Sequence, residues 1–322
     1  MIEKNKTVLI TRAADEDLSL QLLFQKEGYF FIHLPFLRHH VHQAAKIQLQ
    51  NLLHQHFQKQ ISWQKQISWP KETSWDWILI TSPFAAKIFI QCLFSLGKEK
   101  KITNLSQPFT FPKFAVTGPK IKTLIESALQ EHPIFQGQPL TFFLPESTQP
   151  TVEKKISIFS AEKLSQLWVK TEISGQNILW LTPKDPSFDF KAHLTTLGAK
   201  ISQQTLFHRE PILKNLTQAK KLITEQKIHW VLFTSPSAVN SLFFSVPKQL
   251  SKSEEPKFKV SPSLQFATIG SSTAQALQHF GFSPTVISDP PNFQNLVQKI
   301  KEYDHKQNPP TRGFGNSFLG EK

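Results

Sequence analysis

Cysteine and arginine are scarce in this sequence, and each shortage excludes a class of function. Cys92 is the single cysteine, which excludes an intrachain disulfide and any zinc or iron–sulfur site built from several thiolates. The bidentate guanidinium contacts that read guanine or clamp phosphates are also rare, because most basic residues are lysines. Arginine occurs only at Arg12, Arg38, Arg209 and Arg312. We therefore expect a reducing compartment and no sequence-specific DNA recognition.

Long uninterrupted hydrophobic runs are missing as well. The longest apolar stretch, residues 77–97, contains Pro83, Lys87 and Gln91, so it predicts a strand followed by an amphipathic helix rather than a membrane span. The first residues, MIEKNKTVLITRAADED, include acidic side chains and only a short apolar run, unlike a signal peptide. We expect a cytoplasmic, monomeric protein that makes no contact with a membrane.

What the chain does have is length and positive charge. Its 322 residues are enough for two α/β domains, and 39% hydrophobic residues predict that both fold. Lysine and arginine exceed aspartate and glutamate by 13, which predicts a polyanionic partner. Nucleic acid, an anionic membrane, or a small ligand with many carboxylates or phosphates would each satisfy this charge.

A strand-to-helix junction occurs twice in the sequence. Residues 230–240 read WVLFTSPSAVN and residues 77–87 read WILITSPFAAK. In each, an apolar strand ends at Thr-Ser, where serine can cap a helix, and proline takes the first helical position. Such a junction directs backbone N–H groups and the positive end of the helix dipole beyond the strand end. The natural ligand there is an anion.

A second junction also repeats, at nearly the same spacing. FAVTG ends at Gly118 and FATIG ends at Gly270, a separation of 152 residues, and we call these the glycine junctions. Thr81 and Thr234 of the two Thr-Ser-Pro junctions, the TSP junctions, are 153 residues apart. A strand–helix–strand unit precedes each pair, with Gly28 and Gly198 as the helix stops. The repeated order predicts two similar lobes of doubly wound parallel sheet flanked by helices.

Other segments predict surface or loop structure. Residues 35–75 are rich in Gln, His and Lys, and residues 43–57 have helical spacing. The pentapeptide KQISW occurs twice, at 59–63 and 65–69, and this duplication is typical of a loop insertion. Four histidines, His33, His39, His40 and His42, are interpreted as part of a solvated loop rather than a metal site. Residues 305–322 predict a disordered tail. We predict no metal and no cofactor.

These units, in this order, resemble the uroporphyrinogen-III synthase family. The resemblance extends from about residue 8 to 303 and rests on VLITR with GYFFIHLP, DWILITSP, FAVTG, ILWL with LGAKI and LFHREP, WVLFTSPSAV, FATIGSSTAQAL and PNFQNLVQKI. It implies two lobes joined by two strands, with a cleft between them. The implied boundaries are 1–36 with 208–304 for the first lobe, and 37–207 for the second.

The resemblance also implies an activity. Members of this family are cofactor-free lyases of haem biosynthesis that cyclise hydroxymethylbilane, a linear tetrapyrrole with eight carboxylates. The terminal hydroxymethyl group is lost as water, a spiro intermediate forms, and the last ring ends inverted. The bilane also cyclises unaided without inversion, so the enzyme's task is mainly positioning. Hand-over from hydroxymethylbilane synthase is the implied partnership.

Substrate-binding positions carry over from the resemblance residue by residue. They are Thr11, Arg12, Ser82, Phe84, Gly118, Ser235, Ser237, Gly270, Ser271 and Thr273. Two positions depart from the family pattern. Phe207 stands where a tyrosine is usual, and Ile121 stands where the second repeat has the hydroxyl of Thr273. Phenylalanine has no proton to donate, so the catalytic residue stays unassigned.

Two alternative functions follow from the same observations. The departures at Phe207 and Ile121 are consistent with a tetrapyrrole-binding protein of this fold with weakened catalysis. The lysine excess and the Trp/Lys pairs of KQISW are consistent with a protein that stacks on single-stranded nucleic acid. The predicted function remains the synthase, with no nucleic-acid partner.

Overall fold

The computed structural model describes residues 6–12, 18–62, 74–98, 111–133, 135–145, 161–168, 173–244, 260–288 and 292–307. Within these ranges the chain divides into two compact units. Unit 1 takes the residues up to Arg38 and from Glu210 onward, and unit 2 takes those between His39 and Arg209. Each unit is built on its own sheet.

Unit 1 contains a five-stranded parallel sheet in the order β11-β10-β9-β1-β2. Its strands are β1 (Thr7–Ile10), β2 (Phe30–His33), β9 (Trp230–Phe233), β10 (Gln265–Thr268) and β11 (Val286–Ile287). Its helices are α1 (Leu18–Lys26), α7 (Leu213–Thr224), α8 (Pro236–Phe243), α9 (Ser271–His279) and α10 (Phe293–Gln307). The central strands β1 and β9 are almost entirely apolar and buried, because helices cover both faces of the sheet.

Unit 2 contains a six-stranded sheet in the order β3-β8-β7-β4-β5-β6. Its strands are β3 (Leu37–Val41), β4 (Trp77–Ile80), β5 (Lys113–Val116), β6 (Phe142–Phe143), β7 (Asn177–Pro183) and β8 (Lys200–Pro211). Its helices are α2 (Gln43–Ser62), α3 (Pro83–Lys98), α4 (Pro119–Glu131), α5 (Ala161–Trp168) and α6 (Phe190–Thr196). The chain passes from one unit to the other within β3 and returns within β8.

Apart from the edge strand β3 of unit 2, the two sheets share one spatial order, but the chain threads them differently. In unit 1 the βαβ pair β1-β2 comes first along the chain, and β9, β10 and β11 follow. In unit 2 the corresponding β4, β5 and β6 precede the βαβ pair β7-β8. The sequence repeat therefore crosses the unit boundary, since unit 1 combines the start of the first repeat with the end of the second. The predicted fold class of two doubly wound parallel-sheet lobes is confirmed.

Each sheet separates two hydrophobic clusters, one on each face. In unit 1, alternate residues of β1 contribute Leu9 to one cluster and Val8 and Ile10 to the other. In unit 2, β4 does the same with Ile78 and Leu79. This alternation fixes the register of the central strands, because a one-residue slip would exchange the two faces. The strand ends that carry the repeated junctions are thereby held in place.

Three predictions about peripheral segments were wrong where the structure describes them. Residues 37–41 form β3 rather than a solvated loop, because edge pairing with β8 accommodates polar side chains. The helix α2 continues to Ser62 and so includes most of the first KQISW, which was predicted to be a loop. The helix α10 continues to Gln307, past the predicted start of the tail. The second KQISW and residues 308–322 lie outside the described residues.

None of the helices in the described ranges combines the length and the apolar character that a bilayer span requires.

Candidate functional site

Each sheet has one point at which the strand order reverses along the chain. In unit 1 the reversal lies between β1 and β9, and in unit 2 it lies between β7 and β4. Ligands of open α/β sheets bind beyond the carboxyl ends of the strands at such a switch point. The TSP junctions follow β9 and β4 directly, so both repeated junctions lie where the topology places a binding site.

The unit 1 TSP junction is a fully formed helix start. Ser235 has extended backbone, and its hydroxyl accepts a hydrogen bond from the amide of Ala238 at 3.3 Å. Pro236 takes the first helical position, which needs no intrahelical N–H partner. Ser237 is partly exposed on the first turn of α8. The predicted cap and proline are confirmed, and the remaining first-turn amides point beyond the strand end.

The unit 2 TSP junction repeats this arrangement with one change. The amide of Phe84 donates to the hydroxyl of Ser82 at 3.2 Å, and the amide of Ala86 donates to the Ser82 carbonyl at 3.1 Å. Pro83 begins α3. The next residue is Phe84 rather than a serine, and its ring is half-buried. An aromatic face therefore stands beside the helix start where unit 1 presents the hydroxyl of Ser237.

The two glycine junctions have identical backbone geometry. Gly118 and Gly270 both cap a helix with φ −179° and ψ 172°, and neither helix start has a side-chain cap. A glycine at this position lets a ligand approach the first-turn amides closely. After Gly270 the chain continues with the partly exposed Ser271, whereas Pro119 follows Gly118. Unit 1 again has more hydroxyl groups at an equivalent position.

Two predicted hydroxyl groups lie in the interior. Thr11 is 3% exposed, and its hydroxyl donates to the Leu232 carbonyl at 2.9 Å, which ties the end of β1 to β9. Thr273 is 2% exposed on α9. The structure gives both residues a packing role, and their contact with substrate stays a prediction. Ile121, the counterpart of Thr273, is buried in the same way on α4.

Arg12 follows β1 directly at the unit 1 switch point. Its guanidinium carbon lies 5.0 Å from the ring centre of Phe293, a cation–π contact that holds the side chain on α10. Its carbonyl contacts Nε2 of His33 at 2.7 Å. The side chain is partly exposed, and Arg12 follows the strand that pairs with β9, the strand before the TSP junction of the same unit.

Phe207 lies at an irregularity in the sheet of unit 2. The pairing of β7 with β8 shifts there, so that Thr182 pairs with Thr205 and Pro183 pairs with Phe207. Leu206 is the extra residue of this bulge, and the two consecutive residues Leu206 and Phe207 therefore enter the same hydrophobic cluster. The Phe207 ring is fully buried. This position has no hydroxyl group.

Aromatic rings surround Phe207. Phe84 packs edge-on against it with ring centres 4.8 Å apart, and His39 does so at 5.2 Å. The exposed His39 ring also stacks on Phe84 at 4.1 Å. His39 was predicted to lie in a solvated loop and was not among the predicted site residues. The location of His39 depends on the edge strand β3, which was not predicted from the sequence. Alternation along β3 places His39 on the opposite face from His40.

The two tyrosines lie in unit 1, inside the packing of α10. The Tyr29 hydroxyl donates to Asp304 at 2.8 Å, and burial together with this carboxylate raises the pKa of the Tyr29 phenol far above its ordinary value. The ring of Tyr303 packs edge-on against Trp230. Both side chains are therefore committed to the core of unit 1. Neither takes the place of the tyrosine expected at position 207.

Comparisons with known proteins agree on one family. A family model described as "Uroporphyrinogen-III synthase HemD" matches residues 18–298. A protein of Chlorobaculum parvum named uroporphyrinogen-III synthase is 22% identical over 224 residues, which are 68% of this chain and 77% of that protein.

Solved structures share the fold. A mutant uroporphyrinogen III synthase from Thermus thermophilus superposes with a TM-score of 0.59 at 14% identity, covering 94% of this chain and 99% of that one. A uroporphyrinogen-III synthetase from Helicobacter pylori gives a TM-score of 0.51 at 11% identity, covering 92% and 99%. At sequence identities this low, the structural similarity supports a shared fold and nothing more specific.

Proposed function

Because the chain belongs to the uroporphyrinogen-III synthase family, we propose that it cyclises hydroxymethylbilane to uroporphyrinogen III, with loss of water and inversion of the terminal ring. The observation that carries this proposal is the pair of capped helix starts at the two switch points. Their first-turn amides suit carboxylates, which are the groups this substrate carries in number. The net charge of +13 favours capture of such a polyanion.

The two units offer different chemistry to the substrate. In unit 1 the groups beyond the sheet are the hydroxyls of Ser235, Ser237 and Ser271 and the guanidinium of Arg12. These groups suit carboxylates. In unit 2 the corresponding region has the aromatic rings of Phe84 and His39, which suit the flat, apolar face of a pyrrole ring. We propose that unit 1 anchors carboxylate side chains and that unit 2 holds a pyrrole face.

The role proposed for this protein is control of ring closure. The C–O bond of the hydroxymethyl group breaks with release of water, and the resulting electrophilic carbon is attacked through the already substituted carbon of the terminal ring. Fragmentation of the spiro product and reclosure then invert that ring. Because the bilane also closes unaided, holding its two ends selects the inverted product.

The experiment that tests the proposal separates product isomers. Hydroxymethylbilane is generated in situ by hydroxymethylbilane synthase, this protein is added, and the porphyrins obtained on oxidation are resolved by chromatography. We expect the type III isomer in excess over the protein-free reaction. A product distribution equal to the protein-free type I control would overturn the proposal.

A second function is favoured by one observation. Phe207 is buried among aromatic rings and has no hydroxyl, although a proton donor is expected at this position. A protein that binds the bilane or its cyclic product without accelerating closure would be consistent with this. It would bind tetrapyrrole tightly in a fluorescence titration and leave the isomer ratio unchanged.

Phe207→Tyr distinguishes the two functions. If catalysis is weakened by the missing phenol, the variant should form the type III isomer faster than the wild-type protein. Phe36→Tyr is the matched control, because Phe36 is an equally buried ring in unit 1. A faster rate of type III formation in both variants would be attributed to an added buried hydroxyl group and not to its position at residue 207. An unchanged rate in Phe207→Tyr would show that ring closure here does not depend on a phenol at that position.

A further inference from the structure

Three histidines lie together on two neighbouring strands of unit 2. His40 is on β3, His42 follows directly after that strand, and His208 is on β8. The ring centres of His40 and His208 are 4.9 Å apart, and those of His42 and His208 are 5.0 Å apart. His40 is exposed and the other two are partly exposed, so ions have access to the cluster.

The hydrogen bonds of His42 fix its tautomer. Its Nδ1 lies 3.2 Å from the Thr205 carbonyl, which only accepts, so Nδ1 carries the proton. Nε2 is then the acceptor, and it lies 2.7 Å from Nδ1 of His208. A histidine whose far nitrogen donates to a carbonyl while the near nitrogen offers a lone pair has the arrangement that supports metal ligation in proteins.

We propose that His40, His42 and His208 form a binding site for a divalent cation of the zinc class. Imidazole nitrogens suit Zn²⁺, Ni²⁺ and Cu²⁺ and disfavour Mg²⁺ and Ca²⁺. The cation would replace the proton shared by His42 and His208, and the third imidazole would come from His40. The strand alternation that places His40 and His42 on one face also gives that face two ligands from the same segment.

The spacings from His208 to His40 and to His42 are close to those of a zinc site, whereas His40 and His42 are too far apart to share an ion as they stand. Zinc–nitrogen bonds of about 2.0–2.1 Å at tetrahedral angles place two ligating nitrogens about 3.3 Å apart and two ring centres about 5 Å apart. Two of the three ring spacings already have this value. The nitrogens of His42 and His208, now 2.7 Å apart, would move about 0.6 Å further apart. The ring centres of His40 and His42, now 6.5 Å apart, would move closer together.

A metal titration of the full chain, purified without a histidine tag, tests the site. ZnCl₂ is titrated by calorimetry at pH 7.5, and Co²⁺ is titrated by visible absorption, which reports coordination geometry. We expect one equivalent of each ion to bind and the Co²⁺ complex to show four-coordinate absorption. His42→Gln and His208→Asn should each weaken Zn²⁺ binding by at least about tenfold, since even the loss of a residue that only orients a ligand costs that much.

The matched control is His279→Gln, because His279 lies in unit 1 on the last turn of α9. It should bind Zn²⁺ as the wild-type protein does. The urea midpoint of each variant checks that the fold is retained. Stoichiometric binding that is equal in His42→Gln, His208→Asn and the wild type would overturn the proposal. Absence of binding at about 100 µM Zn²⁺, a concentration well above the dissociation constants of protein zinc sites, would also overturn the proposal.

Discussion

The two units have the same sheet order and the same two junctions, but they differ in what stands beyond the strands. Unit 1 continues its junctions with Ser237 and Ser271, and unit 2 continues them with Phe84 and Pro119. Identical backbone angles at Gly118 and Gly270 show that this difference is one of side chains, not of backbone. Two similar scaffolds thus differ in that one has polar groups and the other aromatic rings beyond its strands.

The comparison separates what folding requires from what binding requires. The serine caps, which both units share, complete helix starts and so serve folding as well as binding. No helix start needs the side chains that differ between the units. A difference in function between the units is therefore best sought in those side chains.

The largest expected effect is on the stability of unit 2. Phe207→Ala removes a fully buried ring from a cluster fixed by the bulge at Leu206, and we expect it to lower the free energy of unfolding by about 3–5 kcal/mol. Urea unfolding measures this change, with Phe36→Ala as the unit 1 counterpart. A loss below about 1 kcal/mol would mean that Phe207 is not a core residue and lines an open surface instead.

The next effect is on substrate affinity. Alanine is compatible with the extended backbone of both Gly118 and Gly270, so each substitution to alanine should leave the urea midpoint nearly unchanged. The added methyl group should hinder close approach to the first-turn amides. We expect Gly270→Ala to raise KM for the bilane about tenfold, the equivalent of one charge-assisted hydrogen bond.

Gly118→Ala should raise KM by less, because unit 2 is proposed to hold a pyrrole face rather than a carboxylate. Initial rates of type III formation at several bilane concentrations give both KM values. Equal increases in the two variants would contradict the division of chemistry between the units, although not the activity itself.

The helix caps give a smaller effect that should be the same in both units. Ser235→Ala and Ser82→Ala each remove a side-chain acceptor from a first-turn amide and should each cost about 1 kcal/mol of stability. Urea unfolding of the two variants measures the loss. A cost in one unit only would show that the two TSP junctions are not equivalent helix starts.

Alkaline sensitivity is an effect that is absent at neutral pH, and it should begin at a lower pH in unit 2. Burial raises the pKa of the Cys92 thiol in unit 2 to about 12, so its contribution to stability is present below about pH 9 and lost as the pH rises toward 12. In unit 1 the raised pKa of Tyr29 gives a loss that begins only near pH 10.

Urea midpoints measured between pH 8 and 11 detect these losses. Cys92→Ala should remove the first and Tyr29→Phe the second. At neutral pH the Tyr29→Phe variant should be about 1 kcal/mol less stable than the wild type, because the bond to Asp304 is lost. This difference should narrow above pH 10. A difference that is constant with pH would show that the phenol is not held in its neutral form.

The parts of the fold that sequence reasoning predicted are those fixed by local chemistry. Ser235 and Pro236 define a helix start without reference to any distant residue, and the apolar residues of β4 and β9 define buried strands. Their repetition then predicted two similar sheets. Which βαβ pair joins which sheet is not local information, and it came from the family resemblance instead.

The parts that were missed depend on pairing between distant segments. The edge strand β3 is polar on the face that carries His40, so its sequence is typical of a surface loop until β8 is placed beside it. The bulge at Leu206 leaves no pattern in the sequence of β8 alone. The contact of His42 with His208 joins residues 166 positions apart, and no local signal predicts it.

The interleaved chain order has a consequence for how the protein is made. Unit 2 lies between His39 and Arg209, so all of its strands are synthesised before β9. The pair β1-β2 is made first but has only a two-stranded sheet until β9, β10 and β11 arrive. During translation unit 2 is therefore able to fold before unit 1 is complete. The sheet that begins with the first strands of the chain is completed only by strands from its last third.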